Sequence, residues 1–183
     1  MIRFFDFLFS LVGLILLGPV LLLLVMIGFF FTSKPIFIQK RLGKNKEVFT
    51  LIKFRTLPIH TPHVASHELE VAHLNGWFRT LRKYKLDELP QLFNVLTGSM
   101  SLVGPRPCLP TQSELITHRE QNGIFTVRPG ITGFAQVQGY DMSQPALLAK
   151  VEAETVFGIS LGDYFKWIFA TVFGKGSGDA INL

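Results

Sequence analysis

From Phe7 to Ser33 the chain carries no charged residue, a run of 27 positions. As a straight helix this run covers about 40 Å, more than the ~30 Å hydrocarbon core of a bilayer. A cleaved leader is not expected, because the run is too long and no small-x-small site follows it. Gly18-Pro19 interrupts the middle. Proline removes one backbone hydrogen bond and clashes with the preceding turn, and the neighbouring glycine loosens the helix further. Arg3 precedes the run, while Lys34, Lys40 and Arg41 follow it. Positive charge on both flanks gives none of the one-sided bias that orients a spanning helix. Two courses fit: a helix-break-helix that enters and leaves by the same face, or one spanning helix kinked at the proline.

Of the 183 residues, 48% are hydrophobic, and much of that share lies in the apolar run. What remains, about 150 residues of ordinary composition, is enough for a core of its own. One domain plus an anchor is therefore expected, divided as 1–33 and 34–183. A formal charge of +5 suits anionic headgroups and nucleotide phosphates. The single cysteine, Cys108, excludes an internal disulfide and fits a reducing compartment. The sequence holds neither a dinucleotide-binding glycine fingerprint nor a P-loop. Its basic residues are scattered, so nucleic acid is not an expected partner.

Pro35 ends the apolar segment. Ile36–Leu42 and Val48–Phe54 are β-prone runs around the turn residues 43–46, which predicts a hairpin. Leu57 to Ala65 holds two prolines and reads as a loop. Ser66 is placed to cap a helix reaching about Arg82, and Leu86 to Leu96 reads as a second helix with Leu89, Leu92, Phe93 and Leu96 on one face. Pro90 is tolerated there in the first turn. Val103 to Pro110 is rigid and proline-rich. Thr111 to Gln121 reads as helix, residues 128–133 as a turn cluster, and Phe134 to Val137 as a short strand. Helices are expected over Pro145–Val156 and Leu161–Phe173. The aromatic side chains of the last suit either the bilayer interface or a packed core. Residues 174–178 read as a flexible tail.

Asp87 and Glu88 are adjacent carboxylates at the start of the second predicted helix. Unpaired N–H groups and the positive dipole end at such a start attract phosphate and keep a carboxylate ionised, as a nucleophile must be. Mg²⁺ takes one or two carboxylates plus substrate phosphates, so the pair could hold it and relieve repulsion against an anionic diphosphate. The structural alternative is that Asp87 only caps the helix and Glu88 is solvated. Lys53 and Arg55 fall on one face of the second strand, placed for phosphate or lipid headgroups. Arg82, Lys83 and Lys85 precede the carboxylates, as phosphate ligands or as a solvated basic face. Arg106 lies between Pro105 and Pro107, which restrict the backbone and aim the guanidinium; that suits bidentate phosphate binding, or an ion pair with a carboxylate. His60, His63 and His67 have metal-compatible spacing but lie in a polar loop without a nearby cysteine, which reads as solvated histidines.

Taken in order, Arg3-x-x-Asp6 with the apolar stretch, Lys53-Phe-Arg-Thr56, Leu86-Asp-Glu-Leu-Pro-Gln-Leu-Phe-Asn-Val95, Ser101-Leu-Val-Gly-Pro-Arg-Pro107 and Arg128-Pro-Gly-Ile-Thr-Gly133 resemble the motifs of the bacterial sugar transferase family. These are the small monotopic phosphoglycosyl transferases that start glycoconjugate assembly on polyprenyl (undecaprenyl) phosphate. The resemblance implies an α+β monotopic membrane protein. Its re-entrant helix-break-helix, broken here at Gly18-Pro19, would precede a small helix-rich catalytic domain with a short β-hairpin. Both helix ends and the domain would face the cytoplasm at the bacterial inner membrane. It also implies that Asp87 attacks the sugar-bearing phosphate of a UDP-sugar, UMP leaves, and polyprenyl phosphate takes the phosphosugar from the aspartyl intermediate. Glu88 with Asp87 would hold Mg²⁺, and Arg106 beside Pro107 would hold phosphate, with Lys53, Arg55 and Arg82 in the same anionic pocket. The family often has arginine and asparagine where this chain has Tyr140 and Asp141, and tryptophan where it has Phe134. The compact chain is similar to forms that use N-acetylated amino or diamino sugars. Two other classes stay in view: a membrane-bound nucleotide-sugar-binding scaffold, and a pyrophosphate hydrolase using the same carboxylates with water.

Overall fold

The computed structural model describes residues 1–61 and 75–176. Its first element, α1, is a helix over Ile2–Phe31 with Pro19 inside it. The expected helix-break-helix is thus a single assigned helix. One stripe of α1 faces the rest of the chain at spacings of three and four: Asp6, Ser10, Leu21, Leu24 and Gly28 are buried along it. Leu21 and Leu24 pack with Phe54 and Leu81. A Cβ at Gly28 would come within 2.7 Å of the Pro35 ring, so glycine there lets the chain double back against the helix. The outward face is apolar throughout, with Phe4, Phe7, Ile15, Leu16, Leu22, Met26 and Phe30 exposed.

Both ends of α1 rest on the same domain. At the start, Arg3 donates to the Val95 and Leu96 carbonyls at 2.6 and 3.0 Å. One turn on, the buried Asp6 carboxylate accepts from Ser101 Oγ, the Leu102 N–H and the Tyr164 hydroxyl at 3.0, 2.9 and 3.0 Å. At the far end, Phe31 stacks on Trp77 with ring centroids 5.5 Å apart.

The hairpin forms as the sequence predicts. Strands β1 (Ile36–Leu42) and β2 (Val48–Phe54) pair antiparallel, Ile36 opposite Phe54 and Leu42 opposite Val48. Asn45 and Lys46 take positive φ in the turn between them. The predicted helix from Ser66 falls on residues 62–74, outside the described residues, as do His63 and His67. Its last part is α2, Gly76–Lys83, capped by the Asn75 side chain on the Trp77 N–H.

Two expectations are corrected. The predicted helix from Leu86 to Leu96 is a 3₁₀ turn, Leu86–Glu88, followed by α3, Gln91–Thr97, so the carboxylates lie ahead of the α-helix rather than in its first turn. Pro90 has no N–H to bond the Leu86 carbonyl, and the Leu89 N–H takes that carbonyl in a tighter turn at 3.3 Å. The predicted strand at Phe134 to Val137 is a helical turn, α5, and the strand pairing begins four residues earlier, at Gly130. There β3 (Ser101–Val103) and β4 (Gly130–Thr132) pair in parallel. This pairing joins the Gly-Pro-Arg-Pro segment to the Arg-Pro-Gly-Ile-Thr-Gly segment. A Cβ on Gly104 would sit 2.5 Å from the Arg128 carbonyl oxygen, so only glycine allows the approach.

Helices α4 (Ser113–Gln121), α6 (Pro145–Val156) and α7 (Leu161–Val172) lie close to their expected ranges. Leu115, Leu148 and Val151 from α4 and α6 close a core over Leu42 and Cys108. In α7, Tyr164 and Trp167 are buried while Phe169, Val172 and Phe173 at its end are exposed. The helix thus serves core and surface at once. Phe165 of α7 packs edge-on against Phe5 and Phe9 of α1, which joins the apolar surfaces of the two helices.

Candidate active site

The local chain forces Asp87 and Glu88 inward. Lys85 takes a left-handed conformation, φ 53°, and turns the backbone into the 3₁₀ turn. Both carboxylates that follow are buried, at 3% and 5% exposure. Adjacent buried carboxylates repel each other and lose hydration, so they need compensating positive charge. Arg106 supplies part of it: its Nη2 donates to Glu88 Oε1 at 2.8 Å. The ion-pair alternative for Arg106 is thus realised within the site itself.

Lys85 also stands near this charge cluster. Burial lowers its ammonium below the usual lysine value; Glu88 and Asp87 pull it back up, while Arg106 adds to the lowering. Its Nζ donates to the Lys175 carbonyl at 2.8 Å, just beyond the end of α7. The carboxylate turn is therefore tied to the helix whose end is apolar and exposed.

The other predicted cations lie on and near strand β2. Strand β2 packs against the 3₁₀ turn. Lys53 and Arg55 share one face of β2, as alternation predicts, and both lie over the Phe37 ring, Nζ at 5.5 Å and Cζ at 5.1 Å from its centroid. Lys53 is buried. Arg55 Nε donates to the Lys34 carbonyl at 2.8 Å, just past the end of α1. Arg82 Nε donates to the buried Thr56 hydroxyl at 2.9 Å. Pro107 presents its carbonyl to Arg41 Nη1 at 3.0 Å and so serves the loop's backbone. Gly18 and Pro19 stand apart from this constellation, and a Cβ on Gly18 would meet nothing within 4 Å. His60 lies in an exposed turn. Among the described residues no group of three or more metal-ligating side chains forms.

Several supporting residues were not singled out from the sequence. Asn94 reaches from α3 to the edge of β2, accepting from the Ile52 N–H at 3.1 Å and donating to the Thr50 carbonyl at 2.8 Å. It thereby locks the helix behind the carboxylates to the strand bearing the cations. Arg119 and Glu152 form a buried ion pair behind the Arg106 loop. A sequence signal existed for Glu152, which lies four residues from both Leu148 and Val156 on the buried face of α6. A charge at such a position demands a partner.

The arrangement offers two carboxylates, a guanidinium fork and nearby ammonium groups at one end of a domain docked to an apolar helix. Carboxylates beside a guanidinium are groups able to bind phosphate and a divalent cation. The bacterial sugar transferase family model matches residues 1–174 of the chain. The UDP-glucose:undecaprenyl-phosphate glucose-1-phosphate transferase of Xanthomonas campestris is 36% identical over 154 residues, 78% of this chain and 31% of that protein. The exopolysaccharide production protein ExoY of Rhizobium meliloti is 30% identical over 190 residues, 93% of this chain and 83% of its own. The uncharacterized sugar transferase EpsL of Bacillus subtilis is 38% identical over 142 residues, 75% of this chain and 68% of its own. The chain thus spans about a third of the Xanthomonas protein, which is 31% covered, and two thirds or more of the other two. The outward apolar face of α1 makes the protein membrane-associated. Matched over residues 1–174, the chain belongs to the bacterial sugar transferase family.

Proposed function

We propose that this protein transfers a sugar 1-phosphate from a UDP-sugar to polyprenyl phosphate and releases UMP. The observation that carries the reading is the buried Asp87-Glu88 pair with Arg106 bonded to Glu88, on a domain that holds both ends of an apolar helix. An Asp87 carboxylate oxygen attacks the sugar-bearing phosphorus. The bond from that phosphorus to the bridging oxygen breaks, and UMP leaves with the oxygen. A phosphate oxygen of the polyprenyl acceptor then attacks the same phosphorus, the aspartyl bond breaks, and Asp87 is restored. Arg106 orients the donor phosphate and matches its charge in a planar fork. Lys53, Arg55 and Arg82 raise the positive potential that draws both anionic substrates in.

Adjacent carboxylates in a site built for phosphate are the donor set that Mg²⁺ takes, with water and phosphate oxygens completing its shell. Asp87 and Glu88 would hold it, and when bound it supplies charge neutralisation for the diphosphate.

Residues 1–33 form the membrane part and residues 34–183 the catalytic part of this reading. In this reading helix α1 enters and leaves the bilayer by one face, which the engagement of Arg3, Asp6 and Phe31 by a single domain supports. The reaction belongs at the cytoplasmic face of the inner membrane, where nucleotide sugars are available, and it begins assembly of a surface glycan. The donor in this reading is an N-acetylated amino or diamino sugar, as the family resemblance implies.

The test is UMP release by the purified chain in lipid with Mg²⁺, polyprenyl phosphate and a panel of UDP-hexoses and N-acetylated UDP-sugars. Acceptor-dependent UMP with at least one donor is expected. Release of UDP, or of free sugar phosphate without lipid, would replace this reading with plain glycosyl transfer or hydrolysis.

A further inference from the structure

The loop carrying Arg106 cannot hold itself. Pro105 and Pro107 have no N–H on either side of the arginine, so the segment needs donors from elsewhere in the chain. It finds one for each of three consecutive carbonyls. Arg119 Nη1 donates to the Arg106 carbonyl at 2.9 Å, Arg41 Nη1 to the Pro107 carbonyl at 3.0 Å, and the Leu42 N–H to the Cys108 carbonyl at 2.9 Å.

Arg119 is itself fixed from behind. Its Nε and Nη2 donate to Glu152 Oε2 and Oε1 at 2.8 and 2.6 Å, and each side chain is only 2% exposed. Burial pushes the Arg119 guanidinium down, but Glu152 and Cys108 together outweigh that and raise it above its usual value. Two parallel bonds allow a planar guanidinium one orientation. That orientation aims the remaining Nη1 at the Arg106 backbone. A buried ion pair is a poor source of stability compared with apolar side chains of the same size. What this pair provides that an apolar pair could not is the aimed third donor.

We propose that Arg119 and Glu152 are positioning residues for Arg106. The pair fixes the height of the Pro-Arg-Pro loop above the carboxylate turn, so that the Arg106 guanidinium meets both Glu88 and the donor phosphate. The inference rests on the transferase reading for its substrate. Its geometry, running from Glu152 through Arg119 and the Arg106 carbonyl to Glu88, stands on its own.

A double-mutant cycle tests it on the full chain in lipid, with Arg119→Lys, Arg106→Lys and the double variant. Lysine keeps the charge beside Glu152 but cannot make the fork and reach the Arg106 carbonyl together. Misplacing a substrate-binding group by about 1 Å costs on the order of 10²-fold. Arg119→Lys is therefore expected to lower kcat/KM for UMP release by about 10- to 100-fold, and by less than about twofold when Arg106 is already lysine. The same loss in both backgrounds, or no loss in either, would overturn the proposal. A stability-independent arm replaces the pair with Arg119→Met and Glu152→Leu together, which removes both buried charges at once. That variant is expected to keep the wild-type melting temperature within a few degrees and lose activity like Arg119→Lys; full activity would overturn the proposal. UMP release by wild type tests the transferase reading separately. UDP-sugar affinity, measured by calorimetry across the same cycle, reads the positioning even without turnover. A drop confined to the Arg106 background supports it, and an equal drop in both backgrounds, or none, contradicts it.

Discussion

Asp87 and Glu88 are neighbours in sequence and both are withdrawn from solvent. Two carboxylates in that position raise each other's free energy unless cations face them. Arg106 and the left-handed Lys85 stand near enough to offset part of that cost. Asp87→Asn keeps the shape and removes the proposed nucleophile. It is expected to lower UMP release by at least about 10³-fold while thermal unfolding stays near wild type. Tyr164 gives a prediction independent of catalysis. Burial, followed by the Asp6 carboxylate and the hydrogen bond to it, raises the phenol far above its usual value. A raised pKa means that the folded chain keeps a proton which the unfolded chain releases above about pH 10, so this residue's share of stability fades as pH rises. Tyr164→Phe is expected to flatten the alkaline fall of the melting temperature. An unchanged alkaline slope would show that Tyr164 does not hold its proton there.

Among the elements, those with a strong local signal were legible and those set by tertiary contacts were not. β-prone runs around a turn specified β1 and β2 to the residue, and the helices expected at the ranges of α6 and α7 formed there. Phe134 to Val137 carried β-prone residues but became a helical turn, because Gly104 and Thr132 bring the preceding residues into the parallel pair with β3. No local pattern encodes a pairing partner 30 residues away. Proline chemistry at position 90 explains why one expected helix divided. The candidate site residues sit in consecutive sequence motifs; the contacts of Asn94, Arg119 and Glu152 run across the fold and leave no such local signal. Asn94→Ala removes both side-chain bonds to β2 and leaves buried backbone groups short of a partner. It is expected to cost about 2–3 kcal/mol, lowering the melting temperature by roughly 4–10 °C and loosening the cation strand against the carboxylate turn. A melting temperature within 1 °C of wild type, on the order of the scatter allowed for surface changes, would remove Asn94 from that role.

For the whole molecule, the docking of both ends of α1 on one domain supports the proposed re-entrant topology. A helix that crossed the bilayer straight would carry one end about 30 Å from the side where it began. Cysteines placed after Met1 and at Ser33 are therefore expected to react together. Both should stay unlabelled by an impermeant maleimide in intact cells, and both should label after lysis. Cys108 is buried, and burial pushes its thiol up, so it leaves the assay clean. Labelling of one engineered site alone in intact cells would mean a spanning helix. Phe165 of α7 packs against α1, and the Lys85 bond to the Lys175 carbonyl ties the segment after α7 to the carboxylate turn. Membrane seating and site geometry are in this way properties of one body.

The most direct measurement of the central claim uses donor labelled in the sugar-bearing phosphate, given to the purified chain without acceptor lipid. Label is expected to stay with the protein in step with UMP release, to leave on addition of polyprenyl phosphate, and to be absent from Asp87→Asn. An unlabelled protein, with UMP appearing only when donor and acceptor are present together, would contradict it.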